Sequence, residues 1–405
     1  MESARLVAGL TRMVRDVGMA EDLAQDALVI ALEKWPESGV PKNPGAWLMA
    51  TAKHRAIDTL RRQGTLAKKH EQLARQLAID VGAAGSAVPN EDRSDDDLLG
   101  LMFICCHPVL STHSRAALAL RLLGGLSTSE IARAFLVSEA TIAQRIVRAK
   151  RSLAAAAVTY ETPEGEEMTI RLTSVLEVIY LIFNEGYLAT AGDDLVRPAM
   201  CEEALRLGRV LVGLVPDQPE VHGLVALMEI QASRLRARVG PGGEPVLLYA
   251  QNRSRWDQLL IRRGLVALQR AELLGGSHGP YALQAAIAAC HARARSPEET
   301  DWARITELYG LLAGEAPSPV VELNRAVAVA MAFGPAAGLE IVDRLVSEPS
   351  LRVYHLLPGV RGDLLEKLGR LDEARFEFER AASLTGNRRE RDLLLDRAAA
   401  CTRPE

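Results

Sequence analysis

Apolar residues recur at helical spacing along most of this chain, and the pattern is sharpest between residues 125 and 153. Ile131, Ala132, Phe135 and Leu136 form one apolar stripe. Just ahead of it, Ser127 and Glu130 stand at S-x-x-E spacing, which lets the two residues satisfy each other's free amides at a helix start. A short break at Val137 leads to Ser138, a second N-cap candidate. In the helix that follows, Ile142, Ile146, Ala149 and Leu153 share one face, and Thr141, Gln144, Arg145, Arg148 and Arg151 share the other. The pair reads as a helix-turn-helix. The outer face of its second helix offers hydroxyl, amide and guanidinium groups. Arg and Gln suit base edges in a major groove, and Lys150 and the outer arginines suit phosphates. An ordinary solvated helix in a bundle has the same basic amphipathic pattern, so this segment alone leaves both readings open.

Two further helices are predicted upstream. Residues 20–36, AEDLAQDALVIALEKWP, place Leu23, Ala27, Ile30 and Ala31 on one side. Acids stand at the expected helix start, where they suit the dipole, and Pro36 is expected to end the helix. Residues 43–62, NPGAWLMATAKHRAIDTLRR, begin with Asn43 as cap and Pro44 at the first helical position. Leu48, Ala52, Ala56 and Leu60 point inward; Lys53, His54, Arg55, Arg61 and Arg62 point largely outward.

The order AEDLxQDxL, then a Trp-Leu helix ending in a basic AIDxLRR run, then a distal helix-turn-helix, resembles bacterial RNA polymerase sigma factors of the extracytoplasmic-function type. The upstream helices resemble conserved region 2 and the helix-turn-helix resembles region 4. The segments RLTSVLEVIYLIFNEGY, NRSRWDQLLIRRG, GPYALQAAIAACHARA and LNRAVAVAMAFGPAAGL extend the likeness to the subgroup with a large helical C-terminal extension. The resemblance implies partners, RNA polymerase core and promoter DNA, and a division of roles. Asp22, Gln25 and Asp26 would meet the polymerase. Trp47, Lys53, His54, Arg55, Arg61 and Arg62 would face the minus-ten element, where unstacked bases are captured. Ser138, Thr141, Gln144, Arg145, Arg148, Lys150 and Arg151 would face the minus-thirty-five element. One departure stands out: the family usually has Asn where His54 stands, although His can also donate and stack. The first region 2 helix begins almost at Met1, as if a few residues were missing ahead of it.

From residue 169 to 405 helix follows helix, with breaks at Pro and Gly. Gly362, Leu365, Gly369, Ala374, Phe378 and Ala381 have the alternation of small and large residues seen in a tetratricopeptide unit. Ala204, Pro216 and Ala226 fit the same frame, and residues 318–342 fit it loosely. Such units bury little alone and must stack. The expected architecture is therefore all-α: a region 2 bundle over 1–70, an acidic flexible linker over 71–97, region 4 over 98–158, and a tetratricopeptide-like domain over 169–405.

Charge supports that division. Residues 1–70 hold eleven Lys and Arg against eight Asp and Glu, and residues 112–155 hold seven against two. Residues 71–111 hold two against seven, and the rest of the chain is also acidic. Only the two candidate DNA-binding parts have the basic balance that phosphate contact requires. No run of about 18 apolar residues occurs, the first ten residues lack a signal core, and the five cysteines have no regular spacing. A cytoplasmic protein without disulfides is expected.

Little in the sequence suggests catalysis, and no enzyme activity, metal or cofactor is expected. Cys105, Cys106 and His107 are adjacent, with His113 nearby, but adjacent cysteines rarely converge on one tetrahedral ion; a buried helix fits LLGLMFICCHPVL better. His222, His278 and His291 have no partners at ligand spacing. Asn184-Glu185-Gly186-Tyr187 and Arg253-Ser254-Arg255-Trp256-Asp257 are polar clusters among helices. They suit caps and ion pairs, or a ligand or partner site. The functional expectation is a sigma factor whose helical C-terminal domain regulates it, with a soluble protein partner possible there. The rival is a helix-turn-helix regulator with a repeat-type sensor or protein-interaction domain, which leaves the region 2 segments unused. A scaffold built on the repeats leaves both basic segments unexplained.

Overall fold

Most of the described helix starts in this chain are set by small polar caps or by proline. In a computed structural model, which describes residues 2–63, 91–135, 137–156, 158, 160, 163, 165–188, 191–192 and 195–402, the secondary structure is helical throughout, apart from short turns and one two-residue strand pair. The N-terminal unit spans Met1–Ile179 and the C-terminal unit Tyr180–Glu405.

The N-terminal unit begins with α1 (Glu2–Val14), α2 (Val17–Ser38) and α3 (Pro44–Gln63). Asp16 caps α2 by accepting the Met19 N–H at 2.8 Å, so the helix starts one turn earlier than its acids suggest. Glu21 and Asp22 therefore lie in its second turn. Pro36 does not end α2. It sits in the last turn, where the missing amide costs a single bond, and the stop comes at Gly39 in a left-handed conformation, φ 80°. Asn43 caps α3 as expected, its side chain accepting from the Ala46 N–H at 3.0 Å. The next helix, α4 (Glu91–Cys105), is buried from Leu98 to Cys105 and packs on α1.

The start of α4 corrects the expected linker. Residues 71–90 lie outside the described residues, but residues 91–97 are helical. Acids suit a helix N-terminus, and two of them are anchored: Arg5 meets Asp95 at 3.0 Å and Arg12 meets Asp97 at 2.8 Å. The helix-turn-helix follows as α5 (Thr112–Leu122), α6 (Thr128–Ala134) and α7 (Glu139–Ala155).

The expected boundary near residue 169 is also corrected. Helix α8 (Gly165–Tyr187) runs through it, and its first half belongs to the N-terminal unit. Arg171 donates to the Phe103 carbonyl at 3.0 Å and Ser174 to the Cys106 carbonyl at 2.6 Å. These bonds satisfy carbonyls that the end of α4 leaves free.

The C-terminal unit is a run of helices that mostly pack on their neighbours in sequence, although the helix starting at Pro280 packs chiefly on the one starting at Pro219, two places before it. They are α9 (Pro198–Leu214), α10 (Pro219–Ala232), α11 (Gln258–Leu273), α12 (Pro280–Arg293), α13 (Trp302–Glu315), α14 (Pro319–Phe333), α15 (Pro335–Leu345), α16 (Leu356–Lys367), α17 (Leu371–Leu384) and α18 (Arg388–Ala400). Five of these start with Pro in the first turn, where its missing N–H costs nothing. Each place where the sequence suggested a repeat holds a helical hairpin: α9–α10, α14–α15 and α16–α17. In the last, a side chain at Gly362 would come within 2.8 Å of the buried Phe378 ring, so only glycine lets the two helices close. The series is interrupted at residues 233–257, which form single 3-10 turns and one antiparallel bridge between Val239 and Pro245. Ala191–Gly192 pairs in parallel with Gly386–Asn387, tying the start of this unit to its end.

Candidate nucleic-acid and polymerase interface

The helix-turn-helix is built as its sequence implies. The Ser127 Oγ accepts from the Glu130 N–H at 3.2 Å, and the Glu130 carboxylate accepts from the Ser127 N–H at 2.8 Å. These bonds hold the Glu130 carboxyl below its usual range. Ser138 caps α7 by accepting from the Thr141 N–H at 3.1 Å. Ile142, Ile146, Ala149 and Leu153 are buried against the unit. Gln144, Arg148 and Arg151 are exposed, and Thr141 and Arg145 are half-buried. Of the first stripe, Ile131 and Ala132 are buried and Phe135 is half-buried; Leu136 lies outside the described residues.

Helix α3 presents a second polar face. Leu48, Ala52 and Ala56 are buried, while His54 and Arg55 are exposed and Lys53 is half-buried. Trp47 meets Trp35 of α2 edge to face, ring centres 5.5 Å apart. Arg61 and Arg62 fall in the last turn of α3; their side chains, like that of Leu60, lie outside the described set. On α2, Asp22, Gln25 and Asp26 share the exposed face. Asp26 lies 3.4 Å from Arg55, and Gln25 donates to Glu21 at 3.0 Å.

Lys150 is not on the free face with the other basic residues. Its Nζ lies 2.6 Å from the Glu21 carboxylate, whose other oxygen is 2.7 Å from Arg121 Nε. Ala149 is a buried neighbour, so Lys150 leaves the helix toward α2 rather than toward solvent. Sequence reasoning missed both Glu21 and Arg121. The signal was present for Glu21: it falls on the same stripe as Val17, Ala20, Ala24, Ala27 and Ala31, all buried. An acid on an apolar stripe demands a cation from another element. Burial alone would raise the Glu21 carboxyl, but Lys150 and Arg121 outweigh it and hold it below the usual carboxylate range.

The Cys and His residues singled out in the sequence, all among the described residues, do not gather at one site. Cys105 and Cys106 are buried, and burial pushes the Cys106 thiol up to about 12. His107 accepts from the Val109 N–H at 3.1 Å, closing a local turn, and His113 and His278 are exposed. His222 bonds the Pro216 carbonyl at 2.7 Å, and His291 is buried. Among the described residues no group of three or more Cys, His, Asp or Glu could hold a metal ion, and no helix is long and apolar enough to cross a membrane.

Comparison with known proteins agrees with this arrangement. Residues 2–65 match the family model for sigma-70 region 2, and residues 101–153 match that for sigma-70 region 4. Residues 171–272 match a family described as of unknown function (DUF6596). The uncharacterized protein R00370 of Rhizobium meliloti (strain 1021) is 44% identical over 386 residues, covering 94% of this chain and 89% of that one. The ECF RNA polymerase sigma factor SigK of Mycobacterium sp. (strain KMS) is 31% identical over 151 residues, 35% of this chain and 72% of its own length. SigK of Mycobacterium ulcerans (strain Agy99) is 27% identical over 156 residues, 37% of this chain and 78% of its own. No solved structure matches. Sigma factors are transcription initiation factors rather than enzymes, and they act with polymerase core on promoter DNA. With region 2, region 4 and a C-terminal helical extension in that order, the chain belongs to the extracytoplasmic-function RNA polymerase sigma factors of the sigma-70 family.

Proposed function

We propose that α3 and α7 are the two promoter-reading surfaces of this sigma factor, and that the arrangement of its N-terminal unit is a closed one that opens when polymerase core binds. In this reading Trp47, Lys53, His54, Arg55, Arg61 and Arg62 take the minus-ten element. Ser138, Thr141, Gln144, Arg145, Arg148 and Arg151 take the minus-thirty-five element, and Asp22, Gln25 and Asp26 take the polymerase, in the cytoplasm.

The observation that carries the closed reading is the Glu21–Lys150–Arg121 cluster, which joins region 2 to region 4. The two promoter elements, by the positions that name them, are about 25 base pairs apart, or roughly 85 Å of B-form DNA at 3.4 Å per pair. Two bodies of sigma-region size have radii of gyration of about 11 Å each. Held together by a shared carboxylate, they cannot span both elements. Separation frees Lys150 for a backbone phosphate. The C-terminal helical domain is the natural place for control of this step. It would stand in place of a separate membrane-bound anti-sigma protein, acting on the polymerase-binding part or through a soluble partner.

In-vitro transcription with purified core on a promoter library tests the assignment. The full chain is expected to direct initiation at specific promoters with core and to bind duplex DNA weakly without it. Tight sequence-specific duplex binding by the free protein, with no core-dependent initiation, would overturn it.

A further inference from the structure

The interruption at residues 233–257 gathers three arginines around two aromatic rings. Arg234 is 9% exposed, and its guanidinium carbon lies 5.9 Å from the Tyr187 ring centre and 5.8 Å from that of Trp256. Arg238 lies 4.0 Å over Tyr187, and Arg253 lies 4.9 Å over Trp256. Tyr187, Arg253 and Trp256 belong to the two polar clusters singled out in the sequence, which the promoter-reading function leaves unused; Arg234 and Arg238 join them.

The charge is unbalanced at Arg234 and Arg238, whereas Arg253 also has Glu298 and Glu299 in its field. Arg253 bonds the carbonyls of His291 and Ala294, each at 2.6 Å, and the Thr300 hydroxyl at 3.1 Å. Arg234 and Arg238 engage aromatic faces but no carboxylate among the described residues. The Nε groups of all three arginines and the indole N–H of Trp256 are buried without an acceptor. Elsewhere in this unit arginines packed into the fold are neutralised: Arg361 by Asp343 and Glu377, Arg397 by Asp363 and Glu366, and Arg209 by Glu229. Beside the cluster His291 is pushed down to about 3, by its burial first and by the charges of Arg234 and Arg253 second.

Buried donors without acceptors and cations without anions are costly in a folded protein, and both deficits here are met by one kind of group. We propose that this cluster is a binding site for the oxyanion of a small ligand, a phosphate or a carboxylate, held by Arg234 and Arg238 with Arg253 adding to the field. Guanidinium groups match both oxyanions in bidentate geometry. Access is from the half-exposed side of Arg238 and Tyr187, and the burial of Arg234 restricts entry to a small group. The site gives the extension a small-molecule input, and it stands whether or not the domain regulates transcription.

The test uses the full chain without core or DNA. Thermal melting and calorimetric titration are run with inorganic phosphate and, separately, with succinate, at ionic strength held constant with potassium chloride. Saturable stabilisation by one of them beyond chloride is expected. Phosphate alone would identify a phosphorylated ligand and succinate alone a carboxylated one. Arg234→Gln and Arg238→Gln should each weaken binding about tenfold or more, as loss of a charged hydrogen bond implies. Arg304→Gln, at a surface pair with Glu307, should leave it unchanged. If Arg234→Gln does not fold, the wild-type chain still decides the matter: the bound oxyanion should slow modification of Arg238 by phenylglyoxal, read by mass spectrometry. No saturable effect of either anion and no protection would overturn the site and leave the arginines as packing against the rings.

Discussion

Lys150, on the second helix of the region 4 helix-turn-helix, is ion-paired with Glu21, on α2 of region 2, at 2.6 Å. A lysine that the sequence suggested for a DNA phosphate is thus engaged inside the protein. The same carboxylate also holds Arg121, so one acidic side chain neutralises two cations of region 4. Removing it should loosen the contact between region 2 and region 4.

Glu21→Gln leaves Lys150 and Arg121 facing a neutral amide. Breaking a fully buried pair costs about 3–5 kcal/mol, and the partial exposure of both cations lowers the expected loss to roughly 1–3 kcal/mol. Thermal melting of the N-terminal unit, residues 1–179, followed by the fluorescence of its tryptophans, Trp35 and Trp47, should show this loss. At the same time the free protein should bind promoter DNA more tightly, because α7 and Lys150 are released. A variant that loses stability but gains no DNA affinity would remove the argument for a closed form. Arg121→Gln, which keeps the Glu21–Lys150 pair, should have the smaller effect on both readings.

The pH dependence of the same contact has a definite sign. Glu21 titrates lower in the folded protein than in the unfolded chain, so it contributes stability that is complete above the unfolded value, near about 4.3. That contribution is lost as pH falls through the lowered folded value. Wild-type protein should therefore bind DNA more readily when free as the pH drops below the ordinary carboxylate range. Glu21→Gln should lack this step. The measurement is fluorescence anisotropy of a labelled promoter fragment across pH 3–6, an interval set by that carboxylate range.

How far this was legible in the sequence depends on whether a residue's role is local. The helix-turn-helix and its caps are local: Ser127, Glu130 and Ser138 act within three residues, and the structure shows each bond. The hairpin at Gly362 and Phe378 was legible because small-and-large spacing is itself the packing rule. The boundaries were not. Residues 91–97 read as linker because an acidic run has no apolar period, yet Arg5 and Arg12 from α1 fix Asp95 and Asp97 in a helix. The Lys150 partner lies 129 positions away in sequence, beyond any local rule. Tyr187, Arg253 and Trp256 were visible within two polar clusters, but Arg234 and Arg238, which join them, carried no signal of their own.

Contacts on the exposed face of α7 should separate by what they touch. Arg145→Ala is expected to cost about 1–3 kcal/mol at particular promoter positions if it makes a bidentate base contact. Arg151→Ala should weaken all promoters alike and reduce the salt slope by about one, as loss of a phosphate contact does. Lys150→Ala should combine two effects: easier opening in the free protein, and uniform weakening in the polymerase-bound complex. Transcription from a set of promoter variants at several salt concentrations distinguishes the three. Equal loss on every promoter for Arg145→Ala and Arg151→Ala would refute the division of roles.

Two truncations test the C-terminal domain, and where the cut falls decides what it reports. A chain ending at residue 158 loses Tyr160, whose hydroxyl bonds the Asp97 carbonyl. It also loses Arg171 and Ser174, which cap the end of α4 through Phe103 and Cys106. At about 1 kcal/mol for each neutral bond and more for the guanidinium, region 4 should lose roughly 3–5 kcal/mol of support. A chain ending at Ile179 keeps all three and removes only the C-terminal unit. If the domain regulates transcription, the Ile179 truncation should fold like the N-terminal unit of the full chain and yet change promoter output strongly, in either direction. The residue 158 truncation should show reduced thermal stability of its own. Equal output from the full chain and the Ile179 truncation, under all conditions tested, would mean that the extension does not control this sigma factor, and any change in the shorter piece would then be a folding defect.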